Sequence, residues 1–211
     1  MERVPGGKII LVRHGETEAN LRRCFGDSDE VPLTDAGRLQ SRELAFRLSR
    51  DYCPEVLVSS DFLRARQTSE IIGRVLGLMT EAVPGLHERN FGCLRGHPYE
   101  RLGEMMSRTP VEPAWLWSPA GGESLDDVRR RAIAAIEVLQ VRYPGREIVV
   151  VSHGAVIQAV CAHITGDWSG ASVPPNCGLV TIAYDAHGWQ LPVKSGDWDA
   201  IAATKAVKHP S

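Results

Sequence analysis

Three short apolar runs lie far apart in the chain, at residues 9–12, 56–58 and 148–151. Each run is rich in β-branched residues and has almost no polar interruption, which is typical of strands buried on both faces of a parallel sheet. A fourth run at residues 179–184 predicts one more strand, with a hairpin partner at residues 189–193. The pattern therefore indicates a sheet whose strands come from distant parts of the chain.

Apolar positions at helical spacing lie between and after these runs, and they predict helices over residues 34–49, 60–76, 124–142 and 153–165. Thr34 is a suitable N-cap, Ser60 or Asp61 can cap the second helix, and Gly77 is a typical stop. Alternating strands and helices predict an α/β fold, specifically a three-layer α/β/α sandwich with a mostly parallel central sheet. We expect residues 1–211 to form a single domain.

Between residues 84 and 123 the helical and strand periodicity fails and prolines accumulate. We interpret this segment as an insertion over one end of the sheet, serving as a lid; the alternative is a surface excursion without a catalytic role. It carries Trp115 and Trp117, which could stack on a ring-bearing substrate or pack the insertion onto the sheet. We favour the packing role. The tail after Trp198 has only a weak helical pattern.

Composition narrows the classes of function. The chain has 43% hydrophobic and 24% charged residues and a formal net charge of -2, so nothing favours a nucleic-acid or membrane-surface partner. The N-terminus lacks the apolar stretch of a secretory signal, and we expect a cytoplasmic protein. The five cysteines are dispersed without metal-ligand spacing, which predicts reduced, buried or half-buried thiols and no zinc site.

The residues that could take part in catalysis or ligand binding follow the ends of the predicted strands. Arg13-His14-Gly15 follows the first strand, Arg64 comes shortly after the second, and His153-Gly154 follows the third. Ligands of open α/β sheets bind beyond the carboxyl ends of the strands, so we expect two imidazoles and two guanidinium groups to face one pocket.

This set suits a phosphate monoester, which carries nearly two negative charges. Arg13 and Arg64 can bind its oxygens through planar forks, and glycines at 15 and 154 would let main-chain N–H groups approach. A neutral imidazole at His14 is a competent nucleophile. Glu88, at the start of the insertion, could protonate the departing alcohol, because a carboxyl group near a dianion keeps its proton more readily.

The same residues belong to longer patterns. These are Arg-His-Gly-Glu-Thr-x-x-Asn, Pro-Leu-Thr-x-x-Gly, Ser-x-x-x-Arg-Ala-x-x-Thr, Leu-x-Glu-x-x-Phe-Gly, Gly-Gly-Glu-Ser and Ser-His-Gly, at residues 13–20, 32–37, 60–68, 86–92, 121–124 and 152–154. In this order they resemble the histidine phosphatase (phosphoglycerate mutase-like) superfamily over about residues 8–160.

The resemblance implies a role for each residue. His14 would become a phosphohistidine, and Glu88 would protonate the leaving oxygen and later activate water. Arg13, Arg64 and His153 would form the phosphate pocket, with His153 donating a hydrogen bond to the transferring group. Asn20 would contact the substrate or its phosphate. The resemblance implies no metal and no organic cofactor.

Departures from the mutase pattern favour a phosphatase that hydrolyses small phosphomonoesters. Phe91 stands where mutases commonly have a tyrosine, and the insertion lacks their paired arginines. Arg95 could bind an additional anionic group of the substrate, or it could be an ordinary surface arginine.

Two alternatives to the phosphatase remain: a phosphoglycerate mutase, and a phospho-ligand binding protein without turnover. Sugar phosphates, phosphoglycerate derivatives, phosphoserine and α-ribazole phosphate all remain candidate substrates. An exposed edge strand would make a homodimer reasonable.

Overall fold

The computed structural model describes residues 6–26, 28–185 and 188–190. In chain order the elements are β1 (Gly7–Arg13), α1 (Glu18–Leu21), α2 (Asp35–Asp51), β2 (Val56–Ser59), α3 (Leu63–Leu76), β3 (Thr80–Ala82), α4 (Glu100–Arg108), α5 (Leu125–Arg142), β4 (Glu147–Ser152), α6 (Gly154–Thr165), β5 (Leu179–Asp185) and β6 (Gly188–Gln190). Short 3-10 helices occupy Pro84–Leu86, Gly92–Leu94 and Ala114–Leu116.

Within the described ranges the strands form one six-stranded sheet in the order β3-β2-β4-β1-β5-β6. The four strands from β3 to β1 are parallel, whereas β5 runs antiparallel to β1 and β6 antiparallel to β5. The mostly parallel sheet is confirmed, and so is a hairpin after residue 184. Residues 191–193 of the predicted hairpin strand, and the tail after Trp198, lie outside the described residues.

Helices cover both faces of the sheet, which confirms the three-layer sandwich. Ile9 and Leu11 of β1 pack in one apolar cluster with α5 and α6, while Ile10 and Val12 pack in another with α2 and α3. All four side chains are fully buried. Successive residues of a strand point to opposite faces, so a strand covered on both sides needs apolar residues at consecutive positions.

Two of the predicted helix ends are confirmed and one is wrong. The Thr34 side chain caps α2 by accepting the N–H of Gly37, and Gly77 ends α3 in the left-handed region with φ of 68°. However, α3 begins only at Leu63, and its N-cap residue Phe62 makes no side-chain cap. Neither Ser60 nor Asp61 therefore caps this helix, and the Ser60 hydroxyl instead bonds a histidine of the candidate site.

The segment at residues 84–123 contains a helix that the sequence did not predict. Helix α4 packs Leu102 and its methionines against a small apolar cluster built on Phe25, Leu94 and Trp117. Trp117 is buried there, and Trp115 stacks on Trp168 with ring centroids 5.3 Å apart. These contacts agree with the packing role for both tryptophans.

The expectation for the cysteines is partly wrong, because Cys53 and Cys93 are exposed. All five cysteines are free, and burial raises the pKa of Cys177 to about 12, which keeps this thiol protonated. None of the helices in the described part of the chain is long and apolar enough to cross a membrane. The described residues also contain no group of three His, Cys, Asp or Glu side chains placed to hold a metal ion.

Candidate active site

A cavity of about 670 Å³ opens beyond the carboxyl end of β1, beside the first turn of α6. One wall is built by the segment at residues 84–123. Seven of the eight residues singled out from the sequence line the cavity: Arg13, His14, Asn20, Arg64, Glu88, Arg95 and Gly154. The structure thus brings together residues that lie up to 141 positions apart (13 to 154) in the chain.

His14 lies on the cavity with its ring almost entirely removed from water. Its Nδ1 is 2.7 Å from the carbonyl oxygen of Gly15, and a carbonyl can only accept, so Nδ1 carries the ring proton. Burial, followed by the charges of Arg64 and Arg13, holds the pKa of His14 well below its ordinary value. The ring is therefore neutral at physiological pH, and the lone pair of Nε2 is available for reaction.

His153 packs directly against His14, with ring centroids 5.2 Å apart and planes inclined by 59°. At this spacing the two rings are in contact, and no room is left between them for a tetrahedral anion. His153 is fully buried, and its Nε2 lies 2.8 Å from Ser60 Oγ. Ser60 Oγ accepts the N–H of Phe62 and can donate its own proton to Nε2; in that arrangement the His153 proton is on Nδ1. That Nδ1 is buried without a partner.

The two guanidinium groups have buried nitrogens that lack partners. Arg13 Nη1 donates to the Pro174 carbonyl at 2.6 Å, but its Nε has no partner, and neither has Nη1 of Arg64. Removal from water lowers the pKa of both groups, and the Glu88 carboxylate acts in the opposite direction. Unsatisfied buried donors are uncommon in native proteins, and these two nitrogens could donate to an anion in the cavity.

Glu88 is held by the main chain around it. Its Oε1 accepts the N–H of Arg89 at 2.8 Å. Arg131 of α5 donates to the carbonyl oxygens of Gly85, His87 and Glu88 at 2.7–3.1 Å. The loop that carries Glu88 is therefore tied to a core helix.

Arg131 is held in turn by Glu123 of the Gly-Gly-Glu-Ser pattern. Its guanidinium makes two parallel hydrogen bonds to the Glu123 carboxylate, at 2.8 and 3.0 Å. Glu123 also accepts the N–H of Asn90 through Oε2. Burial acts to raise the pKa of Glu123, but the hydrogen bonds to Arg131 and Asn90 outweigh it, so the pKa is lowered. This pattern thus helps to hold the loop that carries Glu88.

Asn20 is fixed by three neighbours. It completes a capping box with Thr17 at the start of α1, and its Nδ2 donates to the hydroxyl of Tyr99 at 3.3 Å. Asn176 donates both to the Asn20 Oδ1 and to the His14 carbonyl, at 3.0 and 3.1 Å. Asn176 thereby links the main chain of the candidate nucleophile to a residue that lines the cavity.

The two glycines have different roles. The N–H of Gly15 donates to Thr68 Oγ1 at 3.0 Å, and a Cβ on Gly15 would collide with the main chain of Gly37. The prediction that Gly15 exposes its N–H to phosphate is therefore wrong; this glycine lets α2 approach β1. Gly154 is the first residue of α6, and a Cβ there would collide with Cγ1 of Val173, which also lines the cavity.

Arg95 lines the cavity but is already paired. Its Nη2 lies 2.9 Å from Asp29 Oδ1, and both side chains are about half exposed. Its guanidinium is therefore engaged by a carboxylate in this structure, and its contact with a second anionic group of the substrate stays a prediction.

Sequence reasoning missed Tyr99, Asn176 and Arg131. For Asn176 a signal existed: it precedes the predicted strand at residues 179–184. Because β5 runs antiparallel to β1, the start of β5 meets the carboxyl end of β1, where Leu179 pairs with Val12. Tyr99 and Arg131 carry no comparable sequence signal.

Comparison with known proteins identifies the family to which the chain belongs. The model of the histidine phosphatase superfamily (branch 1) matches residues 9–195, and the chain belongs to this superfamily. Phosphoglycerate mutase-like protein 4 of Arabidopsis thaliana is 34% identical over 169 residues, which cover 75% of this chain and 71% of the relative. Metal-independent phosphoserine phosphatase, also of Arabidopsis thaliana, is 33% identical over 163 residues, covering 75% and 68%.

Among solved structures, mycobacterial glucosyl-3-phosphoglycerate phosphatase complexed with VO3 superimposes with a TM-score of 0.77 at 26% identity. The superposition covers 89% of this chain and 98% of the other. Members of the superfamily are phosphatases or mutases, which supports an enzyme.

Proposed function

We propose that the protein is a phosphatase that hydrolyses small phosphomonoesters through a phosphohistidine on His14. The observation that carries this proposal is the neutral imidazole of His14 beside two guanidinium groups that each have a buried, unpartnered nitrogen. An anion of two charges would satisfy both donors while its phosphorus lies near Nε2 of His14. The names of two similar proteins described above, both phosphatases, support the same reaction.

The reaction would run in two steps. In the first, His14 Nε2 attacks phosphorus, the bond from phosphorus to the ester oxygen breaks, and Glu88 gives its proton to the departing alcohol. In the second, Glu88 takes a proton from water, the water oxygen attacks the phosphohistidine, and phosphate leaves His14. Arg13, Arg64 and Nδ1 of His153 would hold the equatorial oxygens in both steps.

The test compares the wild type with His14→Asn. Asparagine can still donate to the Gly15 carbonyl but has no nucleophilic nitrogen, so we expect kcat for a phosphomonoester to fall by at least about 10³-fold. His163→Asn, at an exposed position of α6, is the matched control. Wild-type turnover by His14→Asn would contradict the mechanism, and strong inhibition by EDTA would indicate a metal-dependent reaction instead.

The intermediate can be trapped separately. With p-nitrophenyl phosphate, whose leaving group needs no proton, Glu88→Gln should complete the first step and stall before the second. Alkaline quenching and mass spectrometry should then find phosphate on His14. A coupled assay with 3-phosphoglycerate and trace 2,3-bisphosphoglycerate separates hydrolysis from mutase activity.

A further inference from the structure

The cavity has two chemically different parts. Its floor holds the polar residues of the proposed reaction. Beyond the floor, one part of the wall is apolar, and we call the six side chains that form it the apolar collar: Phe25, Phe91, Tyr99, Leu102, Met106 and Val173. With about 670 Å³ the cavity is within the range of roughly 300–1,000 Å³ found for small-molecule sites, and a phosphate group alone fills only part of it. The alcohol portion of a substrate would therefore contact the collar.

The collar is a packed structure rather than a set of loose side chains. The Phe25 ring lies 4.2 Å from that of Phe91 and 4.9 Å from that of Tyr99, centroid to centroid. Leu102 and Met106 come from one face of α4 and pack on the same cluster, which buries Trp117 beneath. Such a surface loses little conformational entropy when an apolar ligand binds.

The charges of the wall above the floor are already paired. Arg89 donates through Nε to the Glu123 carbonyl and through Nη2 to the Trp117 carbonyl. Arg95 is paired with Asp29, which also lines the cavity. Among the described lining residues outside the floor, a second anionic group of a substrate would find no unpaired guanidinium and would meet the Asp29 carboxylate.

We infer that this cavity selects phosphomonoesters whose alcohol is uncharged and aromatic or aliphatic, and that Asp29 disfavours substrates with a second anion by neutralising Arg95. The inference rests on the phosphatase activity proposed above and specifies its substrate class. A carboxylate-bearing alcohol would lose its hydration at the collar without gaining an ion pair.

The test uses three esters that all release a primary alcohol, so that differences in leaving-group reactivity are small: 2-phenylethyl phosphate, glycerol 3-phosphate and 3-phosphoglycerate. We expect kcat/KM to decrease in this order, with at least about a tenfold difference between the first and the last. The aromatic ester gains by burying its ring on the collar, and glycerol 3-phosphate isolates the effect of polarity from that of charge.

Asp29→Asn tests the pair at the rim. Freeing Arg95 should raise the ratio of kcat/KM for 3-phosphoglycerate to kcat/KM for 2-phenylethyl phosphate by roughly two- to fivefold, the size of an exposed ion pair. Glu30→Gln removes the same charge from the next residue, which is exposed, pairs with Arg66 and does not line the cavity. It should leave the ratio of the two substrates at the wild-type value.

The outcomes separate the two proposals. Hydrolysis of 3-phosphoglycerate at or above the rate of 2-phenylethyl phosphate would overturn the assigned substrate class and leave the phosphatase intact. An unchanged substrate ratio in Asp29→Asn, or the same change in Glu30→Gln, would overturn the role of Asp29. If none of the esters is hydrolysed and no phosphohistidine is trapped, the proposed function fails, and the substrate class with it.

Discussion

The guanidinium of Arg64 combines deep burial with an unmet hydrogen bond. The residue is 7% exposed, and its Nη1 has no partner. A buried polar group without a partner destabilises a folded protein by roughly 1–3 kcal/mol. A bound phosphate would supply the missing acceptor, so the same side chain should oppose folding in the empty protein and favour it in the occupied one.

This reasoning predicts opposite effects of Arg64→Met with and without phosphate. In phosphate-free buffer the free energy of unfolding should rise by about 1–2 kcal/mol, because an apolar chain of similar length replaces a desolvated charge. Addition of phosphate should raise the midpoint temperature of the wild type and not that of the variant. Calorimetry in both buffers measures the two effects.

The control is Arg66→Met, two residues further along α3. Arg66 is paired with Glu30 at the surface, so this change should alter stability by less than about 0.5 kcal/mol and preserve the response to phosphate. A lower free energy of unfolding for Arg64→Met than for the wild type in phosphate-free buffer would show that the unpartnered nitrogen does not destabilise the empty protein.

At the scale of elements, helix α5 positions the candidate acid. Arg131 binds three main-chain carbonyls around Glu88 and the carboxylate of Glu123 at once. A lysine has one ammonium group and cannot reproduce this planar set of contacts. Arg131→Lys should therefore leave the charge in place but loosen the loop that carries Glu88.

The prediction for Arg131→Lys concerns the dependence on the leaving group. For 2-phenylethyl phosphate, which needs a proton on its alcohol, kcat should fall by roughly tenfold or more, since general acid catalysis contributes about 10²–10⁴-fold. For p-nitrophenyl phosphate, kcat should change much less. A purely structural defect would lower both rates equally. Arg130→Lys, at an exposed neighbouring position of α5, is the matched control.

The same elements show what could be predicted from sequence. His14, Arg64 and His153 could be found because chemically distinctive residues follow apolar runs, and the edge of a parallel sheet brings such positions together. Helix α4 was missed because its apolar face has only a few residues between Pro98 and Pro110. Strand β3 was missed because it has three residues and is mostly polar.

The supporting contacts could not be predicted, because they depend on main-chain atoms brought together from distant positions. Asn176 bonds the carbonyl of His14 across 162 residues, and Arg131 bonds that of Glu88 across 43. An arginine on an amphipathic helix has the same local pattern whether it faces solvent or a carbonyl. The role of Gly15 could not be predicted for a related reason. It contacts Gly37 of α2, which is distant from it in the sequence.

At the scale of the whole molecule, the buried histidine pair links folding to pH. Burial, followed by the charge of Arg64, holds the pKa of His14 and of His153 well below the ordinary value. The unfolded chain, with ordinary histidines near pH 6.5, binds protons that the folded protein does not. Stability should therefore fall as the pH decreases below about 6.5, by up to about 1.4 kcal/mol per pH unit for each histidine.

Carboxylates also make the stability depend on pH, but at lower pH than the histidines. Asp126 and Asp127 have a lowered pKa, chiefly through hydrogen bonds to Arg129 and to Ser124, so their stabilisation is present above about pH 4 and is lost at lower pH. Measurements between about pH 7 and pH 5 consequently report mainly on the histidines.

Urea unfolding over this range should show the free energy of unfolding decreasing toward acid for the wild type. His153→Gln should reduce the slope by about half, since one of two protonation sites is removed, whereas exposed His163→Gln should retain it. Equal slopes for His153→Gln and the wild type would mean that the imidazole of His153 is protonated in the folded protein. It would then face the cationic Arg64 as a second positive charge, an arrangement that only a bound anion could stabilise.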